Sequence, residues 1–347
     1  LAYHLLILSA VRAMGGQAVI NGVMMRGEKS YAVAVRRMDD SIDVSVYDVP
    51  SFAQKFVKIP FVRGVMGLGE AMALGYRALM HSADLSLKDE EEKLRIEAGE
   101  EPKEVEEEEK KALGKVTVGI SIAISIVFFV AMFKVGPLLL ADLFKNQFGL
   151  SKWVGFSIES VLRLALFIGY LYLVSLSGEI KRVFQYHGAE HKAIAAYEND
   201  VVLTPKAAQQ FTTAHVRCGT NFLLIVMVMS AFFYAVFSFI FPDVPFWALV
   251  LSRIFAIPLI AGVSYEIIKA ASFKMANPFT RAIVWPGLQL QKVTTRKPTD
   301  EQCEVAIVSL KSVFTPEQTQ EVESRKIEKA PKSWQTIDLE TNKSVAA

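Results

Sequence analysis

Five residues carry most of the chemistry this chain can do. They are His187, Glu190 and His191 in the run His187-Gly188-Ala189-Glu190-His191, with His215 and Cys218 in His215-Val216-Arg217-Cys218. The whole sequence of 347 residues holds only five histidines and two cysteines, so three of the former and one of the latter are concentrated here. His187 and His191 stand four apart, a spacing that on a helix stacks both imidazoles on one face. Two rings so placed hold a metal ion when further ligands arrive from elsewhere. His215 and Cys218 are three apart, again within reach of one helical face. A neutral imidazole and a thiolate are natural zinc ligands, and the thiolate is favoured by a nearby cation such as Arg217 or by the metal itself.

The spelling H-x-x-E-H is the inverted form of the zincin helix motif, in which two histidines bind zinc and the glutamate acts as general base. Two uses of a metal therefore compete. If His187, His191, His215 and Cys218 all bind, a tetrahedral shell is closed and the zinc is structural. If three bind, a water takes the fourth position and Glu190 can accept its proton. In the structural reading Glu190 becomes a partner that fixes an imidazole. Imidazole and thiolate together favour zinc over iron or manganese.

The segments that must position these residues lie in a membrane. The chain is 52% hydrophobic with a mean hydropathy of +0.31, too apolar for an ordinary soluble protein. Its net charge of +2 gives no electrostatic footprint for nucleic acid. Two cysteines make no disulfide framework, which suits a reducing cytoplasm. Leu1 to Val11 is apolar but short, and no clear cleavage pattern follows it. With Leu rather than Met first, the true start is expected upstream.

Four apolar runs follow one another: Val116 to Phe133, Val154 to Leu176, Gly219 to Phe241 and Phe246 to Ile268. Each is roughly long enough to cross hydrocarbon as a helix, the form that satisfies its own backbone there. Basic residues set the orientation. Lys181, Arg182, Lys192, Lys206 and Arg217 lie between the second and third runs, and Lys269, Lys274 and Arg281 after the fourth, whereas Pro242-Asp243-Val244-Pro245 carries none. Both termini and the metal-like segment are thereby expected on the cytoplasmic side of the cell membrane. Lys134, Lys145 and Lys152 count against that bias. Charges inside spans need partners, so Glu159 and Arg163, four apart, are expected to form one polar cluster with Arg253. Glu266 is expected to reach water at the inner end of the fourth run.

The expected organisation is an α-helical integral membrane protein with about four transmembrane helices and a small α+β N-terminal cytoplasmic domain. That domain, 1–87, contains a β-hairpin: Tyr31 to Met38 is β-rich, Asp39-Asp40 breaks it, and Ile42, Val44 and Val46 resume a period of two. Gly15 to Gly27 reads as turn, short strand, turn. From Ile59 to Leu79 the pattern is helical, with Gly64, Gly67 and Gly75 among the apolar positions, suiting a core helix or one lying in the membrane interface. An acidic linker, 88–115, precedes the membrane domain, 116–268, whose cytoplasmic metal segment is 177–218. A C-terminal segment, 269–314, carries an amphipathic helix N-capped by Thr299 with Gln302 three residues on. The polar tail, 315–347, is expected to be disordered.

Gly15-Gly16-Gln17-Ala18-Val19-Ile20 with Gly22-Val23-Met24-Met25-Arg26-Gly27 resembles the opening motif of the YqhQ-like bacterial membrane proteins. His187 to Lys192, Arg217-Cys218-Gly219-Thr220, Thr294-Thr295-Arg296 and Glu304-Val305-Ala306-Ile307 are similar to that family's other landmarks. The resemblance implies a metal-dependent enzyme and supplies no substrate. Asn21 stands where the family usually has an acid, and Val216 where it usually has proline. The expected function is thus a membrane-embedded zinc-dependent hydrolase of a peptide or lipid-linked substrate, with membrane lipids as neighbours. Lys192 or Arg217 would steady an anionic intermediate or meet phosphate headgroups. The alternative is a non-catalytic scaffold with a structural zinc and an unknown protein partner. A transporter fits poorly, since no duplicated half is found.

Overall fold

The period-two alternation at the N-terminus becomes a four-stranded antiparallel sheet. In this computed structural model the described residues are 14–50, 53–98, 120–121, 123–125, 127–129, 131–241, 244–275, 277–331, 333 and 335–336. The strands are β1 (Gly15–Val19), β2 (Gly22–Arg26), β3 (Ser30–Arg36) and β4 (Ile42–Asp48), in the order β1-β2-β3-β4. The hairpin expected after Tyr31 is β3–β4, with Tyr31 opposite Tyr47 and Val33 opposite Ser45. A second hairpin joins β1 to β2, closing on the Val19–Gly22 pair. Asn21 in its turn holds a φ of 54°, a left-handed conformation that asparagine tolerates better than most residues. Its side-chain amide donates to Ser86 at 3.3 Å. Here Asn21 serves the turn.

Both faces of this sheet are covered, which explains why β2 and β3 are buried almost throughout. Tyr31, Val33, Val35, Val19 and Met24 pack on Leu74 and Ala78 of the long helix α1 (Val62–Ala98). Ala32, Ala34, Val23 and Met25 pack on the other side against Tyr186, Ala189 and Ala193 of α4 (Gly178–Glu198) and Val305, Ala306 and Leu310 of α9 (Asp300–Lys311). The charged stretch from Lys88 is the continuation of α1 as far as Ala98; the rest of the expected linker lies outside the described residues.

Among the described residues, four helices are long and apolar enough to cross a membrane: α2 (Ala123–Phe148), α3 (Lys152–Val174, apolar from Trp153), α6 (Gly219–Ile240) and α7 (Phe246–Phe273, apolar over Phe255–Ser272). They mark a membrane protein. The first runs further than expected, so Lys134 falls within a helix rather than in a loop. Contacts divide the chain into two units: 1–90, 175–230 and 243–347 form one, 91–174 and 231–242 the other. Within the second, Phe133 meets Phe167 and Tyr170 edge-on, and Glu159 pairs with Arg163 along α3. The side chain of Arg253, the expected third member of that cluster, lies outside the described residues.

Within the first unit Glu266 is partly exposed to water, as expected, and is also paired. Both its oxygens accept from Arg63 of α1, at 2.7 and 2.5 Å, because a carboxylate at the end of an apolar helix is stabilised by a fork of donors. The remaining helices are short: α5 (Pro205–Ala208), α8 (Pro278–Thr294) and α10 (Pro316–Glu323). The last corrects the start of the expected disordered tail, 315–347, whose end from 337 lies outside the described residues. Thr315 and Gln318 form a reciprocal capping box there, and Val322 is buried. Thr299 and Gln302 form the same device on α9. Thr299→Ala is expected to cost about 1 kcal/mol, read as a lower midpoint of thermal unfolding in detergent, while Thr299→Ser stays close to wild type.

Candidate metal centre

The stacking expected of His187 and His191 on α4 is present, with ring centroids 4.5 Å apart. Cys218 ends the loop before α6 and brings its sulfur to 3.3 Å from His187 Nε2. One ligand atom from each of His187, His191 and Cys218 lies within 4.8 Å of the other two. Two nitrogens and a sulfur are a zinc donor set.

Each histidine already has its other nitrogen engaged. His187 Nδ1 meets the Thr294 carbonyl at 2.9 Å, and His191 Nδ1 meets the Thr213 carbonyl at 2.5 Å. A carbonyl only accepts, so Nδ1 carries the proton in both rings. Nε2 is then the nitrogen each would offer a metal, His187 after giving up the proton it holds towards Cys218, the arrangement that carbonyl partners impose on metal-ligating histidines. The donor set therefore fits a metal by tautomer as well as by position.

Glycine at position 188 is what lets the chain carrying the Thr294 carbonyl pass so close. A Cβ there would lie 2.1 Å from the carbonyl oxygen of Arg296, two residues further on. On the opposite side, a Cβ at Gly16 of β1 would lie 2.8 Å from Glu190 Cγ. The edge strand thus lies directly against the glutamate.

Electrostatics within the cluster are strongly coupled. Burial opposes charge on His187, but Cys218 and Glu190 outweigh it and raise its pKa to about 9. Burial likewise opposes the Cys218 thiolate, and His187 and His191 bring its pKa well below the ordinary thiol value. The Thr220 hydroxyl lies 3.0 Å from the sulfur. Burial raises the Glu190 carboxyl above the usual range against the pull of both histidines. Its Oε2 lies 3.9 Å from His187 Nε2.

His215 stands apart from the trio. Its ring is 5.4 Å from that of His191, and its Nε2 faces Glu198 at 3.6 Å. Glu198 also pairs with Arg217. Burial lowers the His215 pKa, with Glu198 acting against it. Its backbone is clamped by Gln291, which accepts from His215 N–H and donates to its carbonyl, both at 2.8 Å. Val216 is buried with Ala271 and Val284, an apolar role that does not need proline. Lys192, considered above for an anionic intermediate, is buried instead, and its ammonium donates to the Gln209 and Phe211 carbonyls. It secures the connection after α5 and does not line the cavity. Cys303 is also remote, its pKa pushed up to about 12 by burial.

The glutamate and the ligands line one cavity of about 420 Å³, together with Gly16, His215 and Arg217. Sequence reasoning gave Thr294 and Thr220 as landmarks without a role, and did not find Thr213, Gln291 or Glu198. Glu198 had a signal, since it lies seven residues after His191 on the same helical face. Backbone carbonyl acceptors leave none.

A family model described as a protein of unknown function, DUF1385, matches residues 59–316. The chain is 36% identical over 310 residues to the uncharacterized protein YqhQ of Bacillus subtilis (strain 168), covering 87% of this chain and 92% of that one. No solved structure matches it.

The pKa shifts define a pH window for the metal-free protein. Cys218 is depressed, so its contribution to stability is lost as pH falls through its folded value; His187 is raised, so its contribution is lost as pH climbs through about 9. One thiolate equivalent is expected in the far-ultraviolet absorbance at neutral pH. It should disappear in Cys218→Ser and persist in Cys303→Ser.

Proposed function

This chain belongs to the DUF1385 family of proteins of unknown function, and we propose that it is a zinc-dependent hydrolase working at the cytoplasmic face of a membrane it crosses. One observation carries this reading. Three ligand atoms gather while Glu198 and Arg217 hold the fourth candidate, His215, aside, and the trio faces a cavity that Glu190 also lines. Three protein ligands with a fourth position open are the pattern of catalytic zinc, and four are the pattern of structural zinc.

Zinc in such a site acidifies a water and polarises a carbonyl or phosphoryl oxygen. The chain's own residues would do the rest. Glu190 takes the proton of the attacking water and returns it to the leaving group. The Thr213 and Thr294 carbonyls hold the imidazoles in one tautomer throughout. Cys218 supplies the anionic ligand, stabilised by its place beside the first turn of α6. Arg217 lines the same cavity but is paired with Glu198, so its part is to hold the Glu198–His215 side of the site and not to meet charge on the substrate.

A structural zinc in a non-catalytic scaffold is the second reading. It is favoured by the short distance between the His191 and His215 rings, 5.4 Å between centroids. Metal content and complementation of a deletion strain separate the two. Under the hydrolase reading Glu190→Gln keeps stoichiometric zinc and its melting temperature but fails to complement, whereas His191→Ala loses the metal. Complementation by Glu190→Gln would favour the scaffold, and wild-type protein without stoichiometric metal contradicts both.

The sidedness follows from the basic residues flanking α6 and α7. A membrane-impermeant maleimide should label Asn199→Cys from the cytoplasmic side alone. Labelling from outside would invert the proposed topology.

A further inference from the structure

Four arginine and lysine side chains line the cavity, and three of them are already paired with carboxylates. Arg26 pairs with Glu70 at 2.6 Å, Arg217 with Glu198, and Arg63 takes both oxygens of Glu266. Lys269, one turn after Glu266 on α7, has no hydrogen-bond or ion-pair partner among the described residues and lines the same cavity as the metal trio. A half-buried ammonium facing a metal-lined cavity calls for an anion, and phosphate offers it several oxygens.

The cavity's edge is apolar and faces outward. Val57 lines it, and Val57, Ile59 and Phe61 are all exposed. This knuckle is held against α7 at some cost. Phe61 keeps a φ of 63°, rare for a bulky residue, while its N–H donates to Glu266 at 3.2 Å. On α7 itself, Phe255, Ile257 and Leu259 are exposed along the apolar span, and Tyr265 lower on the helix lines the cavity. A single helix thus leads from a surface suited to acyl chains to a cation beside the metal ligands. The volume, about 420 Å³, suits a headgroup with the first part of its chain.

We infer that the substrate is a phosphate-bearing amphiphile, its phosphate on Lys269 and its apolar chain passing between Val57 and Tyr265 towards the membrane. This rests on the hydrolase reading for its chemistry, not for its binding. The source of the phosphate, lipid or free, is decided by two probes, inorganic phosphate and dihexanoyl phosphatidic acid. They are titrated calorimetrically into the full chain in a neutral maltoside detergent.

The lipid is expected to bind more tightly than inorganic phosphate. Lys269→Gln should weaken both by about tenfold or more, the loss of one charge-assisted contact, and Lys269→Arg should recover most of it. Val57→Ser should weaken the lipid and leave inorganic phosphate unchanged. Equal binding of the two probes, with no effect of Val57→Ser, would replace the lipid by free phosphate and overturn the proposal. Unchanged binding by Lys269→Gln overturns it outright. Zinc content is measured on the same samples. Lys269-dependent lipid binding to a protein that takes up no zinc sinks the hydrolase reading alone, and full zinc without lipid binding sinks this one alone.

Discussion

Two ring N–H groups donating to two backbone carbonyls set up everything at the centre. Without the Thr294 and Thr213 carbonyls, His187 and His191 would each choose between tautomers and rotate on χ2. With them, both present Nε2 to the same point as the Cys218 sulfur. The carbonyls come from different places, one from the end of α8 and one from the connection between α5 and α6. The centre therefore reports on the packing of at least three segments distant in the chain. Gln291 strengthens the same junction by binding the backbone of His215 on both sides, and Thr295 joins it through the Thr213 hydroxyl at 2.9 Å.

The sheet supports α4 from beneath. Ala189 and Ala193 are small and buried where α4 lies against strands β1 and β2, and the ligand face turns the other way. Its edge strand then reaches Glu190 at Gly16, so the opening glycine motif and the histidine motif, far apart in sequence, share one wall. Arg63 and Glu266 secure a second junction, between α1 and α7. A carboxylate on an apolar helix is costly alone, and the bidentate guanidinium of Arg63 is the partner that offsets part of that cost for the half-buried Glu266.

Much of this was legible beforehand because it rests on period and residue type. His187 with His191, and Cys218 before an apolar run, could be read from spacing alone, as could the β3–β4 hairpin and the Thr299 cap. The Thr315–Gln318 cap used the same code and was passed over because the residues after it are polar. Spacing favours His215 beside His187 and His191, with Cys218 as the fourth ligand or a substitute, since spacing says nothing of Glu198 facing the His215 ring. Lys192 carried a charge next to the motif, yet a residue adjacent to His191 on a helix points elsewhere, and here it points into the core. Backbone carbonyls have no letter in the sequence, so the groups that fix the tautomers could not be read at all.

The most direct measurement is zinc K-edge X-ray absorption on the purified, zinc-loaded chain. One sulfur at about 2.3 Å, two imidazole nitrogens at about 2.0 Å and a single further light scatterer are expected, typical distances for zinc ligands. A spectrum without sulfur, or with three imidazoles beside the sulfur, would contradict an open three-ligand centre built on His187, His191 and Cys218.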